Sequence, residues 1–197
     1  MFAALRDFIR PSLSAERKTA MSLHAAVVTA ARQPVLYAKG GIPDTPEGRL
    51  ESIALHAFLL FRRMSGRAGW DGVGGALSDE IVADLDRSLR EMGVGDMSIG
   101  KKVKKLARTF FGRFDAFWGA VNGADGADDI QGAIRKSVYL DAGNIDQARL
   151  DAMVSYFDGQ SVHLFGIPES DVLGGRVKFA DPSAWFSHLP DMPGSEE

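Results

Sequence analysis

The sequence predicts an all-α fold: a single-domain bundle of about six main helices around one apolar central helix, with a short irregular C-terminal tail. Three observations predict it. Apolar residues recur at spacings of three and four along most of the chain, the period of a helix. The stretch IALHAFLLF (53–61) is apolar on every side of a helical wheel, and a helix without a polar face must be surrounded by others. No strand-like alternation competes with these patterns before residue 170.

The elements follow in order. The first ten residues set Phe2, Leu5, Phe8 and Ile9 against Arg6, Asp7 and Arg10, which reads as an amphipathic turn or two. Residues 14–32 form the first long helix, with Ser14 as N-cap, rich Ala content, and Pro34 as its stop. After the turn-rich AKGGIPDTPEG, Thr45 caps and Pro46 opens the central helix, which runs to Met64. The Gly-rich stretch 65–77 reads as a flexible connection. Ser78 then caps a helix with Asp79 and Glu80 in its first turn and Ile81, Leu85, Leu89 and Met92 on its stripe. Gly93 ends that helix. The next runs from Ser98 to Val121, its stripe being Ile99, Val103, Leu106, Phe110, Phe114, Phe117 and Val121. GADGADD breaks it. Two more helices cover 128–141 and 145–165, with Asn144 capping the second. RVKF (176–179) reads as a short strand or extended segment, Asp181-Pro182 as the start of one helical turn, and the chain from Pro190 onward as disordered. The divisions are therefore an N-terminal amphipathic segment (1–15), a helical domain (16–182) and a tail (183–197).

Composition bounds the function. The chain has 197 residues, 45% hydrophobic and 25% charged, the profile of a folded globular protein. Its net charge of -3 gives no global field toward nucleic acid or anionic lipid, so DNA is not an expected partner. With no Cys, disulfides, thiolate chemistry and zinc fingers are excluded. The longest apolar run, 53–61, is well short of the ~20 residues a membrane helix needs. The start MFAALRDFIRPSLSAERK lacks a continuous apolar core and is not a signal peptide. The expected location is the cytoplasm, at most peripheral to a membrane.

Few motifs carry chemistry. GDMSIGKK (95–102) has P-loop spacing, but Lys102 stands where Ser or Thr must hold magnesium, and a helix precedes it where a strand should. It reads as a helix-to-helix turn. The four histidines, His24, His56, His163 and His188, make no HxxxH or HExxH spacing. His56, inside the apolar run, reads as a core histidine bonded to a carbonyl or carboxylate, so no metal or cofactor is expected. No nucleophile with its base is visible, and no catalytic residue is assigned. The informative run is KKVKKLARTFFGR (101–113), with Lys101, Lys102, Lys104, Lys105, Arg108 and Arg113 and no acid. Lys101 and Lys102 sit near a helix N-terminus, where the dipole disfavours cations. That run is either a solvated face or a site for an anion such as RNA phosphate, lipid phosphate or an acidic peptide. Phe111 and Trp118 lie beside it, as part of a wide core face or as an exposed apolar groove.

Two segments, GIPDTPEGRLESIALHAFLLFRRM (41–64) and DRSLREMGVGDMSIGKKVKKLARTFFGRFDAF (86–117), resemble the ubiquinol–cytochrome c chaperone family. Both runs are long and ungapped. The resemblance extends loosely to about residue 165 and to GGRVKFADP (174–182), and leaves out residues 1–15 and the acidic tail. It implies an all-helical, non-catalytic assembly factor. Such a factor binds newly made cytochrome b, holds it during haem acquisition and hands it to the assembling ubiquinol–cytochrome c reductase (respiratory complex III). Mitochondrial members of the family act with a small partner protein and dock at the ribosomal exit, and a peripheral contact with the cytoplasmic face of the inner membrane fits that role. The matching positions suited to surface functions are Arg62, Arg63, Arg90, Glu91, Asp96 and the run Lys101–Arg108. From the residues alone, an RNA- or ribosome-binding module using helix 98–118 stays open beside this reading. So does a small-molecule enzyme, which would need a closed polar pocket.

Overall fold

The structure, a computed structural model, describes residues 14–192 except 94, 125, 127 and 142–144. The expected amphipathic turns over the first ten residues lie outside the described residues, as does Asn144. Nine helices are present among those described, six of them eight residues or longer. They are α1 (Ala15–Ala31), α2 (Pro34–Ala38), α3 (Pro46–Met64), α4 (Trp70–Glu91), α5 (Asp96–Asn122), α6 (Ile130–Ser137), α7 (Gln147–Gly166), α8 (Glu169–Leu173) and α9 (Ser183–Phe186).

Local chemistry sets several boundaries. The Ser14 hydroxyl accepts the Arg17 amide at 3.2 Å, and the Thr45 hydroxyl accepts the Gly48 amide at 3.1 Å, with Pro46 at the first helical position. Each bond satisfies one of the orphan N–H groups of a helix start. α7 is capped by the Asp146 carboxylate, which accepts from the Arg149 amide, so the cap is not the expected Asn144 and the helix starts later than residue 145. Gly93 and Gly123 take the left-handed conformation just past α4 and α5, as helix ends favour.

α3 is the central helix. Leu55, Phe58, Leu59 and Leu60 are buried, and α1, α5 and α7 all pack on it. The Phe58 ring meets Phe114, Phe117 and Trp118 of α5 and Phe157 of α7, at centroid distances of 5.8, 5.1, 5.3 and 6.1 Å. One side chain therefore ties three helices together.

Four expectations are corrected. Residues 70–77 are helical, not a flexible connection. Trp70 is buried and meets Phe61 edge-on at 5.3 Å, and that burial outweighs the helix cost of three nearby glycines. Gly74 is required there, because a Cβ would lie 2.9 Å from the Trp70 ring. Ser78 is consequently not a cap; it lies mid-helix with its hydroxyl donating to the Gly74 carbonyl at 3.0 Å. Pro34 ends the first helix but also opens α2. Finally, residues 190–192 are docked: Arg149 donates to the Pro190 carbonyl at 2.7 Å, and the Met192 amide donates to Ala38. Residues 176–181 belong to no helix or strand. Their Ala180 backbone exchanges two hydrogen bonds with the Gln160 amide group.

Gly159 predicts a further effect. A Cβ there would lie 2.2 Å from the Trp185 ring, so Gly159→Ala must push Trp185 off α7. Overpacking of this kind costs about 1–3 kcal/mol. Chemical denaturation is expected to show that loss, whereas Gly112→Ala, with open space around it, should not be destabilising.

Candidate functional site

α5 is held by its second half. Phe110, Phe114 and Phe117 are buried, and so is Ile99 near its start. Between them Val103 and Leu106 are only half-buried. Over that stretch Lys101, Lys102, Lys104, Lys105 and Arg108 are all exposed. None of the five makes an ion pair or side-chain hydrogen bond among the described residues. Their spacings of three and four place Lys101, Lys104, Lys105 and Arg108 on one face.

α4 packs beside α5, and three of its acids, Glu80, Asp84 and Asp86, pair with arginines of α4 itself. Arg87 takes Asp84 and Glu80 at 2.9 and 3.3 Å, and Arg90 takes Asp86 at 2.7 Å. Among the described residues, five positive charges within eight positions have no ion-pair partner. Like charges at these spacings repel by a few tenths of a kcal/mol per pair. The face is therefore a cost to the isolated fold and an attraction to an anion.

The other expected site residues divide by location. Phe111 and Trp118 are half-buried at the core margin. Phe111 meets Phe110 and Phe114 at 5.3 and 5.6 Å, and Trp118 stands edge-on to Phe58. They pack at the margin of the α5 core face. Arg113 is not on the exposed basic face. Its guanidinium forks onto both carboxylate oxygens of Glu51 at 2.8–3.0 Å, and Glu51 is buried. Burial pushes the Glu51 carboxyl above its usual range while Arg113 opposes that rise. Arg63 is 5% exposed and donates to the carbonyls of Leu164 and Ile167 at 2.9 and 2.8 Å, so it closes the C-terminal end of α7. Arg62 is half-buried and donates to the Ser161 hydroxyl at 3.0 Å. Arg90 is occupied by Asp86, and Glu91 is exposed. Asp96 opens α5, and its side chain lies outside the described residues.

His56 has both ring nitrogens in use. Nδ1 lies 2.7 Å from the Ser52 carbonyl and Nε2 lies 2.6 Å from the Tyr156 hydroxyl. A carbonyl only accepts, so Nδ1 carries the proton and Nε2 accepts from Tyr156. No lone pair remains for a metal or a haem iron. Among the described residues, no group of three or more His, Asp or Glu side chains is placed to hold a metal ion. Likewise, no helix among them is long and apolar enough to cross a membrane. A cleft of about 420 Å³ between α1 and residues 177–182 is lined by Ala26, Thr29, Gln33, Lys178 and Asp181, among others. The Asp181 carboxylate accepts the Ser183 amide at 2.9 Å and so serves as a local cap.

Burial lowers the His56 pKa to about 4. The unfolded imidazole takes its proton near 6.5, so between those values the proton binds the unfolded chain more strongly. Stability is then full above about pH 6.5 and falls on the way to pH 4, by on the order of 3 kcal/mol from this residue. Burial lowers His24 as well, in the same sense. Denaturation at pH 7, 5.5 and 4 is expected to show the decline, and His56→Gln should flatten most of it. An unchanged slope in that variant would place the titration elsewhere.

Two features were not read from the sequence. Glu51 carries no mark in the sequence that separates a buried, paired carboxylate from a solvated one. Val162 and Phe165, on α7, are 75% and 48% exposed, and they follow Ser155 and Asp158 on the same exposed side of the helix.

Comparison with known proteins adds three findings. The model of the ubiquinol-cytochrome C chaperone family matches residues 38–179. The crystal structure of the Cbp3 homolog from Brucella abortus is similar to this fold with a TM-score of 0.73 and 31% sequence identity, over 91% of this chain and 98% of that chain. No curated protein matches the chain.

Proposed function

The chain belongs to the ubiquinol-cytochrome C chaperone family, and on that premise we propose that it is a non-catalytic chaperone that binds newly made cytochrome b during assembly of complex III. The family match and the likeness to a Cbp3 homolog support the assembly role. One observation carries the choice of surface: the five cations on the first half of α5 that have no ion-pair partner among the described residues. A fold gains nothing from such a row, since exposed helices are stabilised by acid–base pairs four residues apart and this stretch has none. The face attracts anionic groups of the client or of the membrane surface where the client is made. Arg63, Arg90 and Arg113 are left out of this surface because each is held by a partner within the fold.

The test is charge reversal. Lys101, Lys104, Lys105 and Arg108 are replaced together by Glu. Exposed substitutions usually shift stability by about 0.5 kcal/mol or less each, so the variant is expected to fold and accumulate. Cells carrying it in place of the parent are expected to lose assembled complex III. Full assembly with a folded variant would reduce this row to a solvated face. The same face suits RNA or a ribosomal surface, and both ionic modes weaken with salt. Nuclease treatment separates the readings, since it removes an RNA partner and leaves cytochrome b bound.

A further inference from the structure

Residues 176–181 run beside α7 without joining a helix or strand. Alternate residues are tied to that helix. The Lys178 carbonyl accepts from His163 Nε2 at 2.8 Å, and the Ala180 backbone exchanges bonds of 2.7 and 3.0 Å with the Gln160 amide group. A period of two is that of an extended chain, in which successive residues turn their backbone groups to opposite sides. Val177 and Phe179 therefore turn theirs away from α7. Their N–H and C=O groups have no hydrogen-bond partner among the described residues. The segment is nonetheless fixed in place, because the Phe179 side chain is buried and meets His56 edge-on at 5.3 Å.

The cleft of about 420 Å³ lies on that free side. Its lining comes from residues 177–182 and from α1, with none from α7. α1 cannot satisfy the open edge, since the N–H and C=O groups of a helix interior are bonded along the helix. The wall it presents is low: Ala26 and Ala30 are small, and Gln33 turns back to donate to the Thr29 carbonyl at 3.1 Å. Lys178 and Asp181 both line the cleft, one charge of each sign, so neither sign is selected. What the cleft offers in a fixed pattern is backbone, and an unpaired extended edge is a template for another strand.

We propose that the edge at 177–179 pairs with an extended segment of the client, which lies in the cleft as an added strand. The identity of the client, newly made cytochrome b, rests on the preceding section. The class of occupant rests on the edge itself: free donor and acceptor groups repeat every second residue, about 7 Å apart, which is the repeat of another extended polypeptide. Backbone pairing tolerates many side chains, and a newly made chain offers such backbone before its own helices form. The contact differs in kind from the α5 face, where charge supplies the attraction.

The experiment uses the full chain in growing cells. A photo-crosslinking side chain is placed at Thr29 or Gln33 on the cleft wall, with exposed Asp79 of α4 as the control. Cytochrome b is expected in the crosslinks from 29 and 33 and not from 79. Val177→Pro removes one donor of the edge and should lower co-purified cytochrome b about tenfold, the size of a lost hydrogen bond whose partner is left unpaired. Val177→Thr keeps the N–H and should bind as the parent does. Thr29→Trp fills the cleft from an exposed position and should lower recovery as Val177→Pro does. Amide hydrogen exchange supplies the direct reading: Val177 and Phe179 should exchange at least about tenfold more slowly in the complex than in the free chain. Protection of the Ala180 amide, held by Gln160, reports that the segment stays in place in Val177→Pro; where it is lost, Thr29→Trp decides. If the parent brings down cytochrome b and both cleft variants do so equally well, the added strand is wrong and the proposed function stands. Crosslinks from 29 and 33 to a second copy of this chain, with cytochrome b binding unchanged in the variants, would likewise overturn it. If the parent recovers no cytochrome b, both fall.

Discussion

Phe58→Ala is expected to cost about 3–5 kcal/mol, as truncation of a fully buried Phe does. The ring is 0% exposed and touches aromatic rings of α5 and α7, so its removal opens a cavity where three helices meet. Those neighbours sit on different helices and have little freedom to collapse into the gap, which places the cost toward the upper part of the range. Phe61→Ala is the comparison. Phe61 is only half-buried, though it too meets Trp70 and Phe114 at 5.3 Å. Denaturant midpoints are expected to fall further for Phe58→Ala than for Phe61→Ala. Equal losses would mean that Phe58 is no more deeply packed than Phe61.

The second large effect is expected at the Glu51–Arg113 pair. Glu51 is 4% exposed and belongs to α3; Arg113 belongs to α5. Arg113→Met would strand the carboxylate in an apolar site, and losing one partner of a buried pair costs about 3–5 kcal/mol. Replacing both, with Glu51→Leu and Arg113→Met, should cost much less than the single change, because no charge is left without a partner. The pH dependence gives an independent check. Burial already holds the Glu51 carboxyl above its usual range, and removing Arg113 raises it further. A carboxyl whose folded pKa is raised destabilises the fold at neutral pH and recovers stability as pH falls through that pKa. The deficit of Arg113→Met relative to the parent should therefore shrink on acidification. A deficit independent of pH would show that Arg113 acts through packing alone.

Much of the fold was legible because its signals are local. Thr45 followed by Pro46 specifies a helix start by hydrogen bonding and by a fixed φ, whatever surrounds it. The all-round apolar run 53–61 specifies a surrounded helix for the same kind of reason. The start of α4 was not legible, since Gly72, Gly74 and Gly75 argue locally for a loop. Only the burial of Trp70 against Phe61 and the fit of Gly74 under its ring reverse that argument. The docking of residues 190–192 was hidden likewise, because it depends on Arg149 and Ala38, distant in sequence.

The candidate site divides along the same line. The lysines of α5 are visible as a run without acids. That they have no ion-pair partner among the described residues is a tertiary fact, which the run of lysines does not itself reveal. Arginines carry no mark in the sequence that separates a surface role from an internal one. Arg62, Arg63 and Arg113 all looked alike, and the fold commits Arg63 to the end of α7 and Arg113 to Glu51.

The central claim is that this chain holds newly made cytochrome b and does so through the first half of α5. It is tested most directly by pulse-labelling proteins in growing cells, capturing the tagged chain within minutes, and measuring the labelled cytochrome b recovered with it. The parent is expected to bring down labelled cytochrome b early in the chase and to lose it as complex III accumulates. The variant with Glu at 101, 104, 105 and 108 is expected to recover a small fraction of that amount at equal protein level. Equal recovery by the two proteins would contradict the assignment of the α5 face, and no labelled cytochrome b with either would contradict the function itself.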